Sequence, residues 1–252
     1  MIDVVVPVHN QVMLVAQCIY GLSTQRDIGQ IIVVDDASTT DEIAAFCDTN
    51  RRVRYVRLDE NVGFVGAVNT GMERATTEYA VIVNSDTSPS GSNSLSGLVY
   101  AAHEQNMHVG GAKLLFMGGS RYGRRGTIQH AGIAFDYEGI PYHPFMHLHR
   151  RTKAANIVRR VNAVTGAVMA VRLDVWRSIG GFDSEFAPGV FEDVDFCLKA
   201  GKVVYSPHSE WLHMMHGSQT DEHDLFDNMK DHLDKLLRRW KPSSDEELFY
   251  GA

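Results

Sequence analysis

The stretch Val81-Ile82-Val83-Asn84-Ser85-Asp86 joins a β-branched run to an amide, a hydroxyl and a carboxylate. The run Tyr79–Val83 predicts a short buried strand. Two readings fit its polar end. Asn, Ser and Asp are turn formers, so a strand followed by an ordinary turn accounts for them. The alternative is a metal-and-phosphate site at the carboxyl end of a parallel strand, where open α/β sheets bind ligands.

Working outward, Ile2–Val6, Ile31–Val34 and Val53–Leu58 read as further strands. Between them, Leu14, Val15, Cys18, Ile19 and Leu22 share one helix face. Thr39 or Thr40 could cap a short helix that starts on acids. Gly66–Ala75 reads as a third helix, and Leu95, Leu98, Val99 and Ala102 line a fourth. Alternating strands and helices predict an α/β fold of right-handed βαβ units on a parallel sheet.

The second half is less regular. Met117–Gly126 is rich in Gly and Arg, and Pro141–Arg151 carries His143, His147 and His149; both read as loops able to close as lids. Gly166–Val171 should return to the sheet. Leu173–Ile179 is a short helix stopped by Gly180-Gly181. Glu192–Ala200 is helical, and Val203–Tyr205 a short strand. Phe226, Met229, Leu233, Leu236, Leu237 and Trp240 recur at helical spacing, so Phe226–Trp240 reads as a docked amphipathic helix.

The 252 residues are 44% hydrophobic and 22% charged, an ordinary globular composition. The formal net charge of -7 argues against a strong sequence-independent grip on nucleic acid. Cys18, Cys47 and Cys197 are scattered without metal spacing and read as reduced thiols, with core packing for Cys18 and Cys197. No run approaches the roughly 20 apolar residues that span a bilayer. No basic segment precedes Ile2–Val6, so no signal peptide is expected. A cytoplasmic protein is expected, with a peripheral membrane contact through 226–240 left open.

Three polar clusters end predicted strands: Pro7-Val8-His9-Asn10, Asp35-Asp36-Ala37-Ser38 and Asn84-Ser85-Asp86. In this topology they would meet at one crevice. Neither GxGxxG nor GxxxxGK[ST] is present, so no backbone cradle for phosphates is available. A diphosphate there needs a divalent cation, and Asp86 could hold Mg2+ or Mn2+ while phosphates complete the shell. Asp35 and Asp36 could accept hydrogen bonds from a base N–H or ribose hydroxyls. Further on, Glu192, Asp193 and Asp195 crowd a helix start behind Ala187-Pro188-Gly189. The helix dipole accounts for one or two of these acids; a carboxylate held there stays ionised and can act as a general base. His213 and His216 follow an expected strand end, and one of them suits a metal. Without HExxH or a cysteine partner they form no zinc site of their own.

Taken in order, these residues resemble a family-2 glycosyltransferase of the GT-A fold. The resemblance rests on Val5-Val6-Pro7-Val8-His9-Asn10, Val33-Val34-Asp35-Asp36-Ala37-Ser38, Asn61-Val62-Gly63-Phe64 with Asn69, and Asn84-Ser85-Asp86. It continues through Thr165-Gly166-Ala167, Gly180-Gly181-Phe182-Asp183 and Phe191-Glu192-Asp193-Val194-Asp195. The pieces around Asn61 and Gly180 resemble the branch of rhamnosyl-type transferases. The resemblance implies a mostly parallel sheet flanked by helices in residues 1–220, with a nucleotide half (about 1–105) and an acceptor half (106–220). Residues 221–252 would be a helical extension packed on the same domain.

It implies a nucleotide-diphosphate sugar of UDP or dTDP type as donor, and a hydroxyl on a glycan, protein, small molecule or modified base as acceptor. Asp86 would ligate Mn2+ or Mg2+, joined by His213 or His216. Asp35 or Asp36 would meet the nucleoside, within a donor set that includes Pro7, His9, Asn10, Asn61, Gly63, Asn69, Asn84 and Ser85. Asp193 would be the base, with Glu192 orienting the acceptor, and the anomeric centre would invert. The chain departs from the pattern in placing Asn84 where the first acid of the metal motif is expected, and Ala37 where glycine is frequent. Leu236-Leu237-Arg238-Arg239-Trp240 resembles the QxxRW signature of processive members, but leucine stands at the glutamine position, so transfer of a single sugar is expected. Two rivals stay open. A metal-dependent nucleotidyltransferase would want a basic Gly-rich loop where Pro7–Asn10 stands. A non-catalytic nucleotide-sugar or carbohydrate-binding module on a transferase scaffold is kept open by Asn84.

Overall fold

Val and Ile alternate sides along each central strand, and both sides are covered. Val5, Ile32, Val34 and Ile82 enter one apolar cluster; Val4, Val6, Ile31, Val33, Val81 and Val83 enter the other. A strand buried on both faces needs β-branched residues at every position, which is why these runs show no polar alternation. A computed structural model describes residues 1–118, 122–214 and 222–250, with the side chains of 222–227 left aside.

The first half runs β1 (Ile2–Val8), α1 (Val12–Ser23), β2 (Ile28–Asp35), α2 (Glu42–Asp48), β3 (Val53–Arg57), α3 (Gly63–Met72) and β4 (Tyr79–Val83). Then come β5 (Thr87–Pro89), α4 (Ser94–Glu104), β6 (Val109–Phe116), β7 (Ile128–His130), β8 (Ala134–Phe135), β9 (Pro141–Tyr142) and β10 (Arg159–Val161). The chain ends with β11 (Val168–Arg172), α5 (Leu173–Ile179), α6 (Glu192–Ala200), β12 (Val203–His213), α7 (Glu222–Trp240) and α8 (Glu247–Tyr250). The main sheet has the order β10-β12-β6-β11-β4-β1-β2-β3. β1, β2, β3 and β4 are mutually parallel, as are β6 and β12. β11 lies antiparallel between β4 and β6. The carboxyl ends of β1, β2, β4, β6 and β12 and the amino end of β11 therefore share one edge. The mixed α/β sheet flanked by helices matches the expected fold class.

Several local expectations are corrected. Asp41, not Thr39 or Thr40, occupies the cap position of α2. β6 carries Gly110, Gly111 and Lys113, residues that mask a strand signal. Gly111 is required by space: a β-carbon there would lie 2.3 Å from Val164 Cγ1. Lys113 is buried, and its ammonium bonds Asn156 Oδ1 at 2.9 Å and pairs with Glu210 at 3.3 Å. β12 runs to His213, well past Tyr205; Pro207 and an irregular register between Ser206 and Glu210 conceal its continuation. Among the described residues, no helix is long and apolar enough to cross a membrane.

Candidate active site

β5 pairs antiparallel with β12, and the register sets Thr87 opposite His213. Asp86, the residue before β5, is thereby brought against the last residue of β12. His213 Nε2 lies 3.2 Å from Asp86 Oδ1, and the Met214 N–H donates to the Asp86 carbonyl at 3.0 Å. The other imidazole nitrogen, Nδ1, lies 2.7 Å from Gln129 Oε1 on β7. Asp86 and Ser85 are buried at 3% exposure, so the carboxylate sits in a low-dielectric floor. His216 lies outside the described residues.

The opposite wall is built from the start of β11. The Asn84 N–H donates to Ala167 O at 2.9 Å, and one residue earlier the Gly166 N–H donates to Asp193 Oδ2 at 2.8 Å. Asp193 Oδ1 also accepts from the Val194 N–H at 2.7 Å in the first turn of α6. Asp86 and Asp193 thus hang on one short chain of backbone contacts at the same sheet edge. Burial pushes the Asp193 carboxyl up from its ordinary range, against the opposing pull of the Gly166 and Val194 N–H groups. Its neighbour Glu192 is buried, with Oε2 lacking a hydrogen-bond partner. Burial, reinforced by the Asp193 charge, drives the Glu192 carboxyl well above the usual carboxylate range. Val190 and Phe191 approach this pair in the left-handed region, at φ 79° and 70°.

The β1–β2 side is a network of carboxylates and backbone donors. Asp35 is fully buried: Oδ1 accepts from Ser38 N at 2.9 Å and Oδ2 from the Tyr55 hydroxyl at 2.5 Å. Its carboxylate faces inward. Asp36 accepts from Val62 N at 2.7 Å and Gly63 N at 2.9 Å, anchoring the amino end of α3. Burial raises the Asp36 carboxyl, and these two N–H bonds oppose the rise. His9 Nδ1 lies 2.7 Å from the Asp36 carbonyl, which leaves Nε2 away from that contact. Asn61 Nδ2 lies 3.3 Å from His9 Nδ1, and Asn10 Oδ1 accepts from Thr39 N at 2.8 Å. Pro7 is buried beneath this loop. Gly63 has φ +76°, and a β-carbon there would lie 2.8 Å from Pro188 Cβ, so its role is conformational. Ala37 holds φ +53°, which explains why glycine suits that position. Asn69 turns away from the edge: its amide donates to Phe182 O at 2.9 Å and accepts from Phe182 N at 2.9 Å.

These residues fit a divalent cation. Asn84 Oδ1 is buried without a hydrogen-bond partner. An amide oxygen, a carboxylate and an imidazole make a donor set suited to Mn2+ or Mg2+. The 3.2 Å between His213 Nε2 and Asp86 Oδ1 is close to the edge of an octahedron with metal–ligand bonds of about 2.1 Å, roughly 3.0 Å. Among the described residues no group of three His, Cys, Asp or Glu side chains is placed to hold a metal, and phosphates and water would add ligands to Asp86 and His213.

Sequence reasoning missed Gln129, since a glutamine three residues into no recognisable motif carries no signal. It matched Arg239 and Trp240 to the QxxRW signature without foreseeing that both bond Asp195 Oδ1, at 2.7 and 2.9 Å. A hollow lined by Thr76, Thr77, Arg172 and Arg177 lies at the opposite edge of the sheet and holds none of the predicted residues.

The model of the family described as "Glycosyl transferase family 2" matches residues 3–171. The chain is 25% identical over 215 residues to the pre-mycofactocin glycosyltransferase of Mycobacterium tuberculosis, covering 82% of this chain and 41% of that protein. Among solved structures, it resembles the mannosyltransferase PcManGT of Pyrobaculum calidifontis in complex with GDP-Man and Mn2+. That match has a TM-score of 0.64 at 14% identity and covers 98% of this chain and 66% of the other. It also resembles GalNAc-T7 with UDP, GalNAc and Mn2+, with a TM-score of 0.71 at 15% identity, over 94% of this chain and 48% of the other. The chain spans only 12% to 41% of the length of the curated relatives it matches.

Proposed function

Because this chain belongs to glycosyl transferase family 2, we propose that it transfers one sugar from a nucleotide-diphosphate donor to an acceptor hydroxyl, with inversion and with help from a divalent cation. The observation that carries this is the shared sheet edge: Asp86 with His213 on one side, and Asp193 tied through Gly166 and Ala167 to Asn84 on the other. The solved neighbours holding Mn2+ with GDP-Man, or with UDP and GalNAc, support a cation and a nucleotide sugar for this site as well.

In this reading Asp86, His213 and the Asn84 amide would hold Mn2+ or Mg2+. When bound, the cation offsets negative charge that develops on the departing diphosphate. Asp36 and His9 would meet the nucleoside, while Asp35 braces the loop from within. Asp193 accepts the proton of the acceptor hydroxyl. Its raised affinity for protons makes it a better base than an exposed aspartate, and the Gly166 and Val194 N–H groups favour its ionised form. The oxygen freed of its proton attacks the anomeric carbon from the face away from the diphosphate, which inverts that centre. Burial favours the protonated form of Glu192, which can donate a hydrogen bond that orients the acceptor.

Transfer stops at one sugar. Leu236 is buried, and Arg239 and Trp240 point at Asp195, so none of the three is offered to a growing chain. Residues 1–220 act here as one catalytic domain with 221–252 as an extension, a reading supported by β4–β11 pairing across the two halves.

A hydrolysis screen over UDP-, dTDP- and GDP-sugars, with and without Mn2+, tests the proposal without an acceptor. Cation-dependent release of nucleoside diphosphate, lost in Asp86→Ala, is expected. A chain that neither binds nor cleaves any sugar nucleotide overturns it.

A further inference from the structure

Building on the cation reading above, we propose that Gln129 is a positioning residue: it holds the His213 ring in the tautomer and orientation that presents Nε2 to the cation beside Asp86. Gln129 is 4% exposed, and its Oε1 stands 2.7 Å from His213 Nδ1. An amide oxygen only accepts, so in this contact Nδ1 is the donor, and the tautomer with its proton on Nδ1 presents a lone pair at Nε2. That lone pair faces Asp86 Oδ1 at 3.2 Å. A protonated ring would bridge that gap with its own N–H, whereas a neutral ring leaves two acceptors at a spacing that a shared cation would bridge.

The strand that carries Gln129 is tied through β6 to the strand that carries His213. β7 is paired with β6 at Leu114–His130 and Leu115–Ile128, and β6 is paired with β12 as far as Phe116–His213. Next to Gln129, His130 Nε2 accepts from Gly132 N at 3.3 Å and its Nδ1 lies 2.9 Å from His143 Nδ1. The residues flanking Gln129 are thus both paired to β6, and its side chain contacts His213 through Oε1. A partner on the distal imidazole nitrogen is the usual means by which a protein orients a histidine ligand. Gln129 touches neither donor nor acceptor in this scheme; it acts through His213.

The test uses the full chain with Mn2+, alone and with UDP, dTDP or GDP, and reads bound Mn2+ by electron paramagnetic resonance with nitrogen modulation. Wild type should bind Mn2+ with one coordinated nitrogen, and His213→Gln should lose that nitrogen. Gln129→Leu should weaken Mn2+ binding by about 10- to 100-fold and lose the nitrogen coupling, with unchanged melting temperature and metal-free nucleotide binding. Gln129→Met, closer in length, replaces it if the leucine variant melts early. Gln129→Glu, which keeps an acceptor oxygen, should restore the coupling. Wild-type Mn2+ affinity and nitrogen coupling in both apolar variants overturns the proposal. Mn2+ bound by wild type without a nitrogen overturns it while leaving the cation reading intact. Failure of wild type to take up Mn2+ under any condition removes both.

Discussion

Arg239 donates from Nη1 to Asp195 Oδ1 at 2.7 Å, fastening the last turn of α7 to the first turn of α6. The same oxygen accepts from Trp240 Nε1 at 2.9 Å, while Lys199 pairs with Oδ2 at 2.8 Å. Arg239 also reaches Asp183 at 2.9 Å and Glu185 at 2.9 Å. Earlier in α7, His232 Nδ1 contacts the carbonyls of Gly189 and Val190 at 3.1 and 3.2 Å. The helix therefore grips both the strained approach to Glu192 and the turn that carries Asp193. Arg239→Ala leaves the buried Asp195 with fewer donors and should cost about 2 kcal/mol of stability, read by urea unfolding. It should also lower turnover more than donor binding, because the base turn loosens while the β1–β2 side is untouched.

Asp193→Asn keeps the shape and one of the two backbone N–H bonds but cannot take a proton. Turnover with an acceptor should fall about 10²- to 10⁴-fold, with nucleotide-sugar binding by calorimetry unchanged. Undiminished turnover would move the base elsewhere.

Glu192 gives a pH-dependent signature. Its folded-state proton affinity is raised well above that of an unfolded glutamate. Between the ordinary glutamate range and the raised value, the unfolded chain loses this proton while the folded chain keeps it. Stability should therefore be highest below the ordinary range and fall as pH rises through that window, at about 1.4 kcal/mol per pH unit for one group. Glu192→Gln removes this loss. Its unfolding free energy should gain on wild type progressively from acid to neutral pH. A gain independent of pH would mean that Glu192 is ionised in the folded protein.

Gly71 lets α3 lie directly on β1: a β-carbon there would be 2.3 Å from Val5 Cγ1 and 3.0 Å from Val34 Cγ2. Neither neighbour is a flexible chain end, so Gly71→Ala should cost about 1–3 kcal/mol. Thermal unfolding measures it. Because α3 begins at the Asp36-anchored loop, donor binding should weaken as well.

Repeating β-branched runs determined most of this protein without reference to its folded form. Burial on both faces demands Val and Ile throughout, so Tyr79–Val83 and its parallel companions were legible, as were the polar groups at their carboxyl ends. Acids at the start of Glu192–Ala200 were legible for the same local reason, the helix dipole. Tertiary structure alone decided which polar groups meet. Asp86 reaches His213 through the register of β5 on β12, more than a hundred residues apart in sequence, and Asp193 reaches the same edge because β11 inserts antiparallel between β4 and β6. Asp35 and Asp36 are chemically identical neighbours, yet one is sealed inward by Tyr55 and Ser38 and the other holds α3. Local propensity encodes which residues form a strand or a helix start; strand register and long-range packing, set by burial over the whole sheet, decide where their ends point.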